Sequence, residues 1–156
     1  MAARKVYLDT SVIGGYYDEE FKEETRALWK LEQRGFFQFV TSTVTLTEIT
    51  RAPERIRRLF GKTFDEDSLL RGSAEADGLA GKYLQQKIVP EGFFDDAQHV
   101  AICTVAGVGL LASWNFRHLA NLQRENAFNG VNLLQGYPAL RILSPKALIY
   151  GHQEEV

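Results

Sequence analysis

Four polar side chains, far apart in the chain, have the types and neighbours that could do chemistry: Asp9, Glu48, Asp96 and Asn115. Asp9 directly follows the apolar run Val6, Tyr7, Leu8. Asn115 follows the nearly all-apolar stretch 110–114. Glu48 sits among Val44, Leu46 and Ile49, and Asp96 opens an Ala/Val-rich segment. Carboxylates brought together repel one another, and a cation relieves that repulsion. Oxygen donors without cysteine favour Mg²⁺ or Mn²⁺ over zinc. Such an ion polarises a phosphodiester and generates hydroxide from water at neutral pH. Taken singly, each residue also has an ordinary structural role. Asp9 and Asn115 suit turns, Asp96 suits a helix N-terminus, and Glu48 suits a solvated helix face. The joint pattern carries the functional reading.

The elements that must position these groups alternate between strand and helix. Residues 5–8 read as a strand ending at Asp9, with Thr10 and Ser11 offering hydroxyls to cap a following turn. Residues 19–34 have near-helical apolar spacing and stop at Gly35. Residues 36–40 read as a second strand. A helix over 43–51 is limited by Pro53, which suits the first position of another helix through Phe60. Residues 67–86 read as one helix, and 95–106 as another. Residues 110–114 have the pattern of a central parallel strand covered on both faces. A helix over 120–134, a strand over 140–143 and a last turn from Pro145 complete the chain. This alternation predicts an α/β fold with a parallel sheet, in which ligands bind beyond the carboxyl ends of the strands. The four residues could then meet at one edge.

The chain has 156 residues and 45% apolar types, which is one domain's worth with enough core to fold without staples. Its 18 Lys and Arg against 20 Asp and Glu give a formal charge of -2, so a globally basic nucleic-acid binder is not indicated. One cysteine, Cys103, allows no internal disulfide and fits a reducing cytoplasm. No secretory signal opens the sequence, and the longest uncharged stretch is broken by Gly107 and Gly109 and too short for a membrane span.

Three segments carry a family resemblance. VYLDTSVIGGYY resembles the opening of PIN-domain ribonucleases, including toxins of the VapBC type. TSTVTLTEITRAP resembles their second motif, with Glu48 in the acidic position. FFDDAQHVAICTVAGVGLLASWNFRHLAN resembles the third and fourth motifs of one bacterial subgroup, a DAxH helix followed by a strand ending in SWN. The resemblance covers nearly the whole chain in order and spacing. It implies one PIN-like domain over 1–156, a three-layer α/β/α fold with a mostly parallel central sheet. It implies Mg²⁺- or Mn²⁺-dependent endonucleolytic hydrolysis of RNA, with a small antitoxin protein as partner and a homodimer as an assembly open to it. Asp9, Glu48 and Asp96 match the acidic triad and would be metal ligands, with the Asn115 amide oxygen as a fourth ligand to the metal or its water. Asn115 stands where many members carry a fourth acid, so three carboxylates remain, and one ion rather than two is expected. Ser11 and Ser113 are the expected supporting hydroxyls near metal and substrate.

Further residues suggest substrate contacts. Residues 51–62 hold five cations against one acid, and Arg55 and Arg58 are the expected phosphate contacts there. The alternative is a solvated helix face. Arg117 and His118 could touch phosphate or be plain loop residues, while His99, three residues after Asp96 on roughly the same helix face, could hydrogen-bond near the site and reads first as a histidine packed against the sheet. Trp114 and Phe116 could stack bases or fill the core. Residues 18–24, with five acids and one lysine, read as a solvated helix start. Phe21, Leu28, Trp29, Leu31, Leu59 and Phe60 are more apolar groups than one face needs, which suits an antitoxin groove. Two other classes compete: a catalytically weakened PIN-like domain that binds RNA or protein, and a receiver-like phospho-acceptor. The second lacks a lysine near the later strand ends, since Lys146 alone follows Lys87.

Overall fold

Val6, Tyr7 and Leu8 are all fully buried, so the strand that holds them is covered on both faces. Successive side chains on a strand point to opposite faces, and two separate cores follow from that alternation. Tyr7, Val40, Leu111 and Ile142 belong to one core. Val6, Leu8, Phe39, Leu110 and Ala112 belong to the other.

The computed structural model describes residues 2–153, and side chains to 151. Five strands form one sheet: β1 (Arg4–Leu8), β2 (Phe37–Ser42), β3 (Leu69–Leu70), β4 (Leu110–Ala112) and β5 (Arg141–Leu143), in the order β3-β2-β1-β4-β5. Every pairing is parallel, with Val6 opposite Phe39 and Leu8 opposite Ala112. Helices α1 (Thr10–Gly15), α2 (Lys22–Gln33), α4 (Glu54–Thr63) and α8 (Pro145–Gln153) pack on one face. Helices α5 (Ala74–Gln85), α6 (Phe94–Val105) and α7 (Leu122–Leu134) cover the other. Helix α3 (Thr43–Ile49) follows β2 directly and sends Val44 to one core and Ile49 to the other. The expected three-layer α/β/α arrangement is the one observed.

Local chemistry moves several boundaries. A helix, α1, stands where the sequence suggested a turn, and its cap is Asp9, not Thr10 or Ser11: the Asp9 side chain accepts from Val12 N–H. The expected helix over 67–86 is broken. Asp65 and Ser68 form a reciprocal capping box around a short 3₁₀ turn, Leu69–Leu70 pair with Thr41–Ser42, and Ser73 caps α5 afresh. Helix α2 begins late because the Asp18 carboxylate accepts from the backbone N–H groups of Glu20 and Phe21. Pro53 is the cap of α4 and not its first residue, and α4 runs past Gly61 to Thr63. The segment from Pro145 is a helix, and β4 ends at Ala112, which leaves Trp114 in the following loop.

Candidate active site

The parallel sheet ends its inner strands side by side, and the segments that follow β1, β2 and β4 carry most of the predicted polar residues. Asp9 leaves β1 and is almost fully buried. Both of its oxygens are occupied. Ser11 Oγ donates to Oδ1 at 2.6 Å, Val12 N–H to the same oxygen at 3.2 Å, and Ser113 Oγ to Oδ2 at 2.6 Å. The serines accept in turn: Ser11 from Trp114 N–H at 2.9 Å, Ser113 from Asn115 N–H at 2.9 Å. Ser11 and Ser113 therefore fasten the β1 and β4 loops around Asp9. Their hydroxyls are engaged by protein groups.

Glu48 lies near the C-terminus of α3. Its Oε1 accepts from Thr10 Oγ1 at 2.8 Å and from His99 Nε2 at 2.8 Å. Asp96, in the first turn of α6, accepts through Oδ2 from His118 Nδ1 at 3.1 Å, with the Asn115 amide nitrogen at 3.5 Å. Glu48 Oε2 and Asp96 Oδ1 have no hydrogen bond among the described residues. Glu48 also borders an open cavity of about 240 Å³ shared with Thr43, Thr47, Asp95 and Gln98.

His99 is the hub. It is bonded to Glu48, and the charges of Asp9 and Asp96 also act on its buried imidazole. Burial opposes its charge, but the Glu48 hydrogen bond and the three carboxylates outweigh it and raise its pKa above the usual value. Burial likewise works against the Glu48 carboxylate, yet the His99 bond and charge, with Thr10, bring its pKa down. Asp9 is pushed up by burial despite His99, the two serines and Val12 N–H. Asp96 is pushed up by burial and by Glu48, against His118 and His99.

This arrangement fits an oxygen-loving divalent ion held loosely, through one or two carboxylates and water, as Mg²⁺ commonly is. It does not form the four-ligand cage expected from sequence. Among the described residues no three His, Cys, Asp or Glu side chains are placed to grasp an ion together. Asn115 is the clearest departure. Its amide oxygen accepts from His118 N–H at 2.9 Å and its nitrogen faces Asp96, so the residue shapes the loop and supports a neighbouring acid.

The remaining predicted residues divide. His118 is buried against Asp96 and the Phe93 ring, not presented to phosphate as expected. Arg117 is exposed beside Asn115, and Phe116 is exposed with it. Trp114 is buried, stacked on Phe21 with ring centroids 4.2 Å apart. Arg55 and Arg58 do not join the acids. They line a separate cavity of about 430 Å³ with Tyr16, Tyr17, Trp29 and Lys62. There Arg55 lies over the Tyr17 ring at 4.9 Å, and Arg58 pairs with Glu54 at 2.7 Å. Cys103 is fully buried, as expected of a core residue. Sequence reasoning missed Thr10 as a partner of Glu48. For His99 the three-residue spacing from Asp96 allowed a hydrogen bond near the site, and the structure shows one, to Glu48.

The sequence matches no protein-family profile and no curated protein. Solved structures do match. One is the crystal structure of VapBC2 from Rickettsia felis bound to a DNA fragment from their promoter, at TM-score 0.56 and 12% identity, covering 90% of this chain and 98% of that chain. Another is the crystal structure of FitAcB from Neisseria gonorrhoeae, at TM-score 0.55 and 12% identity, covering 90% of this chain and 97% of that chain. At that identity the likeness is one of fold: the chain shares its α/β/α architecture with chains of those two structures. No described helix is long and apolar enough to cross a membrane.

Proposed function

We propose that this chain is a divalent-metal-dependent endoribonuclease that hydrolyses RNA phosphodiester bonds as the toxin of a toxin–antitoxin pair. The observation that carries this reading is that Asp9 follows β1 at the carboxyl edge of a parallel sheet, with Glu48 joined to the same edge through Thr10 and to α6 through His99. The VapBC-like motifs and the fold likeness to VapBC2 and FitAcB support the toxin assignment. A small antitoxin protein is the proposed partner, a homodimer the proposed assembly, and the cytoplasm the proposed location.

Glu48 and Asp96, through the oxygens that no protein donor takes, would hold Mg²⁺ or Mn²⁺ with water completing the shell, and Asp9 would act on the ion through its charge or through a bound water. The bound ion would supply phosphate polarisation and a hydroxide-forming water at neutral pH. Asp9 is fixed by three donors and cannot rotate away. Asp96 offers Oδ1 while His118 retains Oδ2. Glu48 offers Oε2, placed to orient the attacking water. Water attacks directly, so the buried Cys103 thiol takes no part.

The test is cleavage of a labelled RNA in Mn²⁺ by the wild type and by Asp96→Asn. The substitution should cost about 100-fold or more in rate, the scale expected when charge stabilisation at a phosphoryl centre is lost, with a melting temperature no lower than that of wild type. Equal cleavage by both proteins overturns the assignment. One observation favours a second reading, a catalytically weakened RNA- or protein-binding domain: Asn115 presents an amide to Asp96 where a further acid could stand. RNA binding by the wild type without cleavage in Mn²⁺ would select it.

A further inference from the structure

Glu48 is poorly placed to hold its own position. It is the penultimate residue of a seven-residue helix, where the unpaired carbonyls disfavour a carboxylate. Two donors compensate, Thr10 from the β1 loop and His99 from α6, and both take the same oxygen. That choice leaves Oε2 as the oxygen available to the site. Thr10 lies at the site's margin, while His99 is 2% exposed and anchored from behind. Its Nδ1 is bonded to the Tyr7 hydroxyl at 2.7 Å, and that hydroxyl to Ser42 Oγ at 2.6 Å. Tyr7 and Ser42 are fully buried in the two central strands. Ser42 is also the cap of α3, the helix that carries Glu48.

A polar chain of this kind inside an apolar core is costly unless every member is satisfied, and here each link has its partner. An apolar side chain at either position would pack with less risk. The chain is closed on both sides of Glu48: through His99 to its carboxylate and through Ser42 to its helix.

We infer that His99 is a positioning residue, braced by Tyr7 and Ser42, that turns one oxygen of Glu48 toward the site for a metal-bound or attacking water. This rests on the metal-dependent reading above. It goes further in assigning a specific task to a histidine, a tyrosine and a serine that touch neither substrate nor ion.

The experiment compares wild type, His99→Leu, His99→Gln and Tyr7→Phe. Mn²⁺ binding is read by the electron paramagnetic resonance signal of the free ion, without RNA. Cleavage is read separately as kcat and KM. His99→Leu should weaken Mn²⁺ binding about tenfold, as loss of a group orienting a ligand does, and lower kcat with little change in KM. His99→Gln keeps a donor for Glu48 and an acceptor for Tyr7, so it should recover most of both losses. A purely structural role would lower the melting temperature without that rescue pattern. Tyr7→Phe should give a smaller loss in the same direction. If His99→Leu fails to fold, Tyr7→Phe and Thr10→Val, which removes the other donor to Oε1, carry the test. Folded variants that bind Mn²⁺ and cleave like wild type overturn the positioning role alone. A wild type that neither binds Mn²⁺ nor cleaves overturns it together with the functional reading.

Discussion

Ser113 shows how little slack the site residues have. Its buried hydroxyl donates to Asp9 and accepts from Asn115 N–H, so Ser113→Ala strips one partner from each. Loss of a buried partner costs about 1–3 kcal/mol. That loss should appear as a lower urea midpoint with an unchanged slope, together with slower cleavage. An unshifted midpoint would mean that water replaces the hydroxyl. The titrating groups give a pH signature in chelator. Asp9 and Asp96 have folded pKa values raised above the ordinary 3.8, so each destabilises the folded chain increasingly as pH climbs from there through the raised value. His99 is raised above 6.5, so its contribution is full below that pH and is lost as pH rises through the folded value. Glu48 is lowered from 4.5, and its contribution is present above 4.5 and lost only as pH falls through the folded value. Above about pH 5 all remaining trends have one sign. The melting temperature in chelator should fall from pH 5.5 to pH 8. Mn²⁺ should restore more at pH 8, where fewer protons compete for the carboxylates. A flat profile would count against the linkage assigned here.

Helix α1 is the element on which the site depends most, because it begins on Asp9 and ends against Trp114. At Gly15 a Cβ would sit 2.8 Å from the Trp114 ring and 2.9 Å from Thr25 Oγ1. Trp114 cannot give way cheaply: it stacks on Phe21 and its indole N–H donates to Thr25 Oγ1 at 2.8 Å. Gly15→Ala should therefore cost about 1–3 kcal/mol as an overpacked position. For a chain of this length that is a fall of about 2–4 °C in melting temperature per kcal/mol. Since Trp114 adjoins Asn115, calorimetry and cleavage should both register the change; a stabilised variant would refute the close approach. The elements differ in how far the sequence disclosed them. Strands β1 and β4 are legible because apolar runs buried on both faces leave little else for them to be, and β2 and β5 because short apolar stretches carry a single exposed polar residue, Gln38 and Arg141. Strand β3 is not, since two leucines become a strand only by meeting Thr41 and Ser42. Helix α1 is hidden by its glycines and β-branched residues, and it exists through the Asp9 cap. The same division holds at the site. Asp9, Glu48 and Asp96 are readable as acids beside apolar positions. The Tyr7–His99 bond joins residues 92 apart, and nothing local marks it.

Across the whole molecule, the net charge of -2 conceals a division of labour. Three acids act by charge on His99, and five stand at residues 18–24. The cations of α4 are left as a separate patch on the cavity formed with Tyr16, Tyr17 and Trp29. Helix α1 links the two regions: six residues carry the chain from Asp9 to Tyr16, which is about 9 Å of helix. An RNA strand reaching from the acids to the patch would run along α1, its scissile phosphate at one end and flanking phosphates at the other. The expected contacts Arg55 and Arg58 then act by charge at a distance from the chemistry, not at it. Cation–phosphate contacts release counterions, and for single strands the slope of log affinity against log salt is about −0.7 per contact. Replacing Arg55 and Arg58 together by alanine should weaken RNA binding at low salt and flatten that slope by about 1.4, the value for two lost contacts. Arg58 already pairs with Glu54 in the open, where such pairs are screened, so it remains able to exchange that partner for phosphate. A slope change near 0.7 would mean that it does not and that Arg55 alone reaches the strand. No change would make α4 a solvated face and send the RNA across Arg117 and Phe116 instead.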